Sequence, residues 1–164
     1  MPKLNSVQQL EMEIKKCILQ ALNKTQMELY EILKSKVEDY YSETPNGGWG
    51  SPRYERTNEL LNSVEKTNIA QNGNTFSFSV GFSDEYITYE YSGWDKRWGR
   101  GSTGKNKVTG ENVLSTMFNA SMHGNKNFMG SHNYWDEFLD EIESIGGVDQ
   151  IFIQNCKKSG IPIL

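Results

Sequence analysis

Positive charge is in short supply in this chain. Lys and Arg together number 17 against 21 Asp and Glu, a formal net charge of −4 with an isoelectric point near 5.3. A uniformly basic coat for nucleic acid is therefore excluded, and only a local patch is left open. Cysteine is scarce as well. Cys17 and Cys156 are the only two; neither has a C-x-x-C partner or a neighbouring His, and each falls beside apolar residues at helical spacing. Buried free thiols in a reducing compartment are expected, rather than a disulfide framework, a zinc site or a nucleophile. The two histidines, His123 and His132, lie in or beside the polar run GNKNFMGSHN. Asp136, Glu137 and Asp140 follow, but no H-x-x-x-H or H-E-x-x-H spacing is present, so solvated or capping histidines are expected and no metal ligand is assigned. No apolar run approaches the ~18–20 residues of a membrane span, and residues 1–20 lack a signal-peptide core and cleavage site. The expectation is a protein made in the cytoplasm that stays there or leaves inside a larger assembly, with no membrane partner.

What the chain does have is a core's worth of apolar residues. With 36% hydrophobic and 12% aromatic residues over 164 positions, one domain covering 1–164 is expected. Val7, Leu10, Ile14, Cys17, Ile18, Leu22, Leu29, Ile32, Leu33 and Val37 recur at three- and four-residue steps with no Pro or Gly between them, which predicts a helix over 5–40 capped by Asn5 or Ser6. Such a helix spans ~50 Å at 1.5 Å per residue, longer than one small sheet covers, so part of it is expected to pack on a neighbouring chain or to wrap a single core through a kink. PNGGWGSP at 45–52 breaks it, and Thr57 can cap a short turn carrying Leu60 and Leu61.

Strands are predicted next. The turn signal NGN at 72–74 leads into TFSFSVGF, where Phe76, Phe78, Val80 and Phe82 alternate with small residues, and EYITYEY follows after Ser83-Asp84. Val113, Leu114, Met117, Phe118 and Met122 then resume helical spacing. Trp135, Phe138, Leu139 and Ile142 form a second helix begun at Asn133 and ended at Gly146. Val148, Ile151, Phe152 and Cys156 form a third, with Gly160 at its exit. The sum is an α+β fold: a long N-terminal helix, a motif and antiparallel β-meander of three to four strands over 53–91, a glycine-rich loop or hairpin tip at 92–110, and two to three C-terminal helices over 111–160.

The loop contains GRGSTGKNK, residues 99–107, which mimics the phosphate-loop pattern G-x-x-x-x-G-K-[ST]. Asn106 stands where the Mg²⁺-binding hydroxyl belongs, and the preceding WDKRW is no buried strand, so no nucleotide cofactor is assigned. Carboxylates such as Glu137, Asp140 and Glu141 read as the solvated face of a helix rather than an acid–base pair, and the chain is not expected to be an enzyme. The loop is nonetheless distinct in charge. Lys96, Arg97, Arg100, Lys105 and Lys107 against Asp95 alone leave it at +4 on a body that carries −8. Trp94 and Trp98 flank the basic run, and Trp and Arg are the residue types that anchor interfaces and also meet nucleic acid. A docking arm for another subunit, a surface facing DNA and a plain solvated loop all remain open on these residues.

The stretch Tyr54-Glu-Arg-Thr-Asn-Glu-Leu-Leu-Asn-Ser-Val64 resembles the Y-x-R-T-G-x-L-x-x-S-I signature of the tail-completion, or head–tail joining, proteins of long-tailed phages and prophages. Tyr54, Arg56, Thr57, Leu60, Ser63 and Val64 fill the pattern, and Asn58 replaces its usual Gly. The order of elements is similar to that family's, as is the ending Lys158-Ser-Gly-Ile-Pro-Ile163. The resemblance implies a structural virion protein without catalysis or cofactor, located in a virion or phage-tail-like particle and forming a homo-oligomeric ring, usually of six copies, at the neck or upper tail. Its partners would be neighbouring connector, terminator or tube proteins, with a passing contact to DNA. Thr57 would cap, Arg56 pair, and Leu60 and Val64 pack. Trp49 in the 45–52 loop, with Trp94, Lys96, Arg97, Trp98, Arg100, Lys105 and Lys107, would supply subunit contacts. Two other classes stay open beside it: a small nucleic-acid-binding module using the basic loop, and a hydrolase relying on His123 or His132.

Overall fold

A computed structural model describes residues 6–43, 59–83, 85, 89–91, 106–108 and 134–163. The first element, α1 (Val7–Glu43), is 37 residues long, about 55 Å at 1.5 Å per residue. Ser6 opens it: its Oγ accepts a hydrogen bond from the backbone N–H of Gln9 at 3.2 Å, the geometry by which a cap satisfies one of the orphan amides of a first helical turn. A short helix α2 (Glu59–Asn62) follows, then strands β1 (Val64–Lys66), β2 (Ala70–Asn72), β3 (Thr75–Ser77), β4 (Val80–Phe82), β5 (Tyr89–Tyr91) and β6 (Asn106–Val108). The described chain ends in two helices, α3 (Tyr134–Ser144) and α4 (Gly147–Lys158). The α+β class with helix first, antiparallel strands next and helices last is therefore the class of this protein.

The strands pair as three short antiparallel ladders, β1 with β4, β2 with β3, and β5 with β6. The first two are one hairpin interrupted. Lys66 pairs with Val80, but Ala70 pairs with Ser77, so three residues on one strand oppose two on the other. This one-residue slip is a β-bulge. Thr67 accommodates it: its backbone N–H donates to the Ser79 carbonyl at 3.0 Å, while its Oγ1 accepts from the Ser79 N–H at 2.9 Å. A side-chain hydroxyl thus stands in for the missing ladder carbonyl. The run TFSFSVGF, expected as one strand, is split at Phe78-Ser79 for this reason. In the glycine-rich region Asn106, Lys107 and Val108 pair with Tyr91, Glu90 and Tyr89, which takes the hairpin alternative for this segment. The helix expected near 111–122 lies outside the described residues.

The core gathers on one face of α1. Leu29, Leu33 and Val37 are buried together with Leu60, Val64, Tyr134, Phe138, Ile142 and Ile151, and Phe78, Val80, Phe82 and Trp135 pack against them. Phe82 sits edge-on to Tyr134 with ring centroids 5.7 Å apart, and Trp135 lies 5.2 Å from Phe138, separations at which aromatic pairs add to simple burial. Two expected inward residues instead point out: Leu139 and Val148 are 47% and 44% exposed. On α4 the buried set is Ile151, Asn155 and Cys156, with a polar residue in the place where periodicity put Val148.

Glycine sets both ends of α4. Gly146, at φ +102, turns the chain out of α3, and a Cβ there would meet Gln150 Cβ and Cγ at 3.1 Å. At the far end the Gly160 N–H donates to the Lys157 carbonyl and the Ile161 N–H to the Cys156 carbonyl, while Gly160 takes φ +89. These are the paired bonds of a Schellman motif, which favours a residue without a Cβ at its left-handed position. Because Leu33 is wholly buried at the centre of the cluster, Leu33→Ala is expected to lower unfolding free energy by about 2–5 kcal/mol, read as a drop in urea midpoint with an unchanged slope.

Candidate interaction surface and its support

The described part of the signature builds a corner. Leu60 lies within α2 with its side chain in the core, and its carbonyl accepts both the Ser63 N–H at 3.2 Å and the Ser63 Oγ–H at 2.7 Å. Ser63 is fully buried, and its own carbonyl accepts the Ser83 N–H at 2.7 Å, which ties the exit of β4 to the entry of β1. Val64 then begins β1 facing inward. A buried hydroxyl is tolerated here because every bond it needs lies within the turn. These three residues therefore hold the sheet on α1 and present no reactive atom. Tyr54, Arg56 and Thr57 lie outside the described residues, as do Trp49, Trp94, Lys96, Arg97, Trp98, Arg100, Lys105, His123 and His132. Lys107 is placed on β6, opposite Glu90.

Polar groups fix α4 against α1. The Asn155 Nδ2 donates to Thr25 Oγ1 at 3.2 Å and to Glu28 Oε2 at 3.1 Å, while Thr25 Oγ1 donates to the Ala21 carbonyl at 2.9 Å. One turn further on, Lys24 Nζ donates to Ser159 Oγ at 3.1 Å and reaches the Lys158 carbonyl at 3.4 Å. The two helices thus run antiparallel in a single register. On the sheet side the Gln26 Nε2 donates to the Thr67 carbonyl at 2.6 Å, next to the bulge. Lys66 hydrogen-bonds Met27 Sδ and lies 5.8 Å from the centroid of the Tyr30 ring, within cation–π range. Periodicity alone missed Thr25, Gln26 and Asn155. The signal available was a polar residue at a stripe position, Thr25 between Ala21 and Leu29 and Asn155 four residues after Ile151.

Where α3 meets α1, Lys36 Nζ stands 2.6 Å from Glu141 Oε2. The hydrogen bond that the Lys36 ammonium donates to Glu141 raises the Lys36 pKa above its ordinary 10.5, against a smaller opposing effect of burial, with further help from the charges of Glu141, Asp39 and Glu137. Cys156 is buried and its thiol is pushed up by desolvation, the opposite of what a thiolate nucleophile requires. Among the described residues no group of three or more His, Cys, Asp and Glu is placed to hold a metal, and no described helix is long and apolar enough to cross a membrane.

The surface itself is most unusual at the start of α1. Val7, Leu10, Met12 and Ile14 are 72%, 45%, 63% and 44% exposed, whereas the same helix buries Ala21, Thr25, Leu29, Leu33 and Val37. Every core residue that α1 contributes lies beyond its first three turns. No protein-family model matches this chain, and comparison with curated proteins and with solved structures gives no match.

Two consequences are measurable. Asn155→Ala removes the donor shared by Thr25 and Glu28 and is expected to destabilise by about 1–3 kcal/mol, read by urea denaturation. For Lys36 the folded-state pKa lies above the unfolded one, so its contribution is complete below about pH 10.5 and disappears as pH rises through the elevated folded value. Because Glu141 is 42% exposed, the pair contributes no more than about 1 kcal/mol. Glu141→Gln should therefore reduce stability slightly at pH 8 and converge with the parent protein at the alkaline end of a stability-versus-pH series.

Proposed function

We propose that this chain is a structural subunit of a phage, prophage or phage-tail-like particle, assembling as a homo-oligomeric ring at the neck or upper end of the tail. The observation that carries the reading is the run from Tyr54 to Val64, filled at Tyr54, Arg56, Thr57, Leu60, Ser63 and Val64. Two further features are consistent with it. Leu60, Ser63 and Val64 serve packing and turn closure, as scaffold residues of a binding protein would, and the long α1 carries apolar residues away from the core it builds, which suits a chain whose stability is shared with neighbours. In this reading the 45–52 loop with Trp49 and the basic 92–110 segment make the contacts between subunits or to adjoining neck and tail proteins.

The test is mass spectrometry of purified particles combined with deletion of the gene. The chain should be found in particles at a fixed copy number, and its loss should give heads and tails that fail to join. A chain absent from particles, whose deletion leaves tail attachment intact, overturns the proposal. The +4 charge of residues 92–110 favours one rival strongly enough to test in parallel. A nucleic-acid module would bind duplex DNA with an affinity that falls steeply with salt and that collapses when Lys96, Arg97, Arg100, Lys105 and Lys107 are replaced by Ala.

A further inference from the structure

The exposed residues at the start of α1 have a definite spacing. Val7, Leu10, Ile14, Cys17 and Ala21 stand 3, 4, 3 and 4 residues apart, the alternation that repeats every 3.5 residues and lines one seam of a coiled coil. Ala21, the last of the five, is fully covered within the chain, Cys17 is half-buried, and Val7, Leu10 and Ile14 are open. The seam is therefore continuous with the face of α1 that builds the core, and among the described residues none covers it at Val7, Leu10 and Ile14.

We propose that residues Val7 to Cys17 of α1 pair in parallel with the same segment of a second copy of this chain, as a short two-stranded coiled coil. Three observations select this occupant. First, Val7 and Ile14 take the first core position of each heptad and Leu10 takes the fourth, and β-branched residues at the former with Leu at the latter favour a parallel pair of strands. Second, the flanking charges discriminate direction. Glu11 and Glu13 border the seam on its two sides; in a parallel pair Glu13 faces Ile18 and Glu11 faces Ser6, whereas antiparallel pairing over the same layers sets Glu11 against Glu11 and Glu13 against Glu13. Lys15 and Lys16 lie off the seam, where Lys16 already approaches Glu13 of its own helix at 3.7 Å. Third, the segment is already helical as the anchored extension of α1, so pairing requires no new helix nucleation, the step that makes isolated short helices marginal. Beyond Cys17 the two helices must part, because each one's face is occupied by its own core.

The neck reading is also consistent with the apolar start of α1, but it assigns subunit contacts to the 45–52 and 92–110 segments and is tested on particles, so either can fail without the other. In the paired state Cys17 meets its counterpart across the seam, near the Cα separation of about 4.4–6.8 Å that a disulfide accepts. The full chain is treated with diamide, which takes two electrons and two protons from two thiols and is reduced to the hydrazine as the S–S bond forms. Rapid conversion to a covalent dimer is expected, unchanged in Cys156→Ser and absent in Cys17→Ser. The double variant Leu10→Lys, Ile14→Lys, which alters only exposed positions, should keep its circular dichroism and unfolding midpoint while cross-linking at least ~10-fold more slowly, since the thiols then meet only by collision. Sedimentation should give twice the monomer mass of 18.7 kDa at high concentration for the parent chain and the monomer mass for the double variant. A parent chain that stays monomeric at about 100 µM, where mass action favours association, overturns the proposal. So does a dimer whose Cys17 thiols fail to join, or cross-linking equally fast in the double variant.

Discussion

One face of a single helix organises this protein. From Ala21 to Val37, α1 offers a continuous buried stripe, and α2, the β1–β4 ladder, α3 and α4 are all laid against it. Short strands of three residues have little independent stability. Here they persist because Val64, Phe78, Val80 and Phe82 bury themselves against the same helix and against Tyr134 and Trp135.

Apolar packing alone would leave the register of those elements loosely specified, and polar groups restrict it. Asn155 bridges Thr25 and Glu28, Gln26 reaches the Thr67 carbonyl, and Ser63 ties two strand ends together. Each bond satisfies a group that would be costly to bury alone, so sliding α4 or the hairpin by one step would strand several at once. Placed at the edges of the core, they select one arrangement among many that would bury similar area. The same logic bears on the proposed neck subunit: the signature's Ser63 contributes to shape, which a protein acting through its surfaces needs more than reactivity.

Beyond the core the helix changes role while keeping its pattern. Val7, Leu10 and Ile14 continue the stripe of Ala21 and Leu29, but they are exposed where Ala21 and Leu29 are buried. A long amphipathic helix on a small domain meets this constraint directly, since a fold of this size cannot cover 55 Å of helix. The inferred pairing of two copies and the proposed assembly into a particle are two uses of surface that the chain cannot bury by itself.

Much of the architecture was legible from the residues in order. Three- and four-residue spacing over 7–37, the NGN turn, the alternation of Phe76, Phe78, Val80 and Phe82, and the glycines at 146 and 160 are local signals, and each reports a local conformational preference. They determined the α+β class and narrowed the cap of α1 to Asn5 or Ser6, between which the bond from Gln9 decides for Ser6. Tertiary structure decided what periodicity cannot contain. It made Val7, Leu10, Leu139 and Val148 outward and Asn155 inward, because exposure depends on which neighbours arrive; it broke one strand at Ser79, because Thr67 on the opposite strand inserts a residue; and it paired 106–108 with 89–91, because a hairpin's second strand is defined by its partner. A sequence pattern states which residues prefer company. Only the folded chain states which of them find it within one molecule.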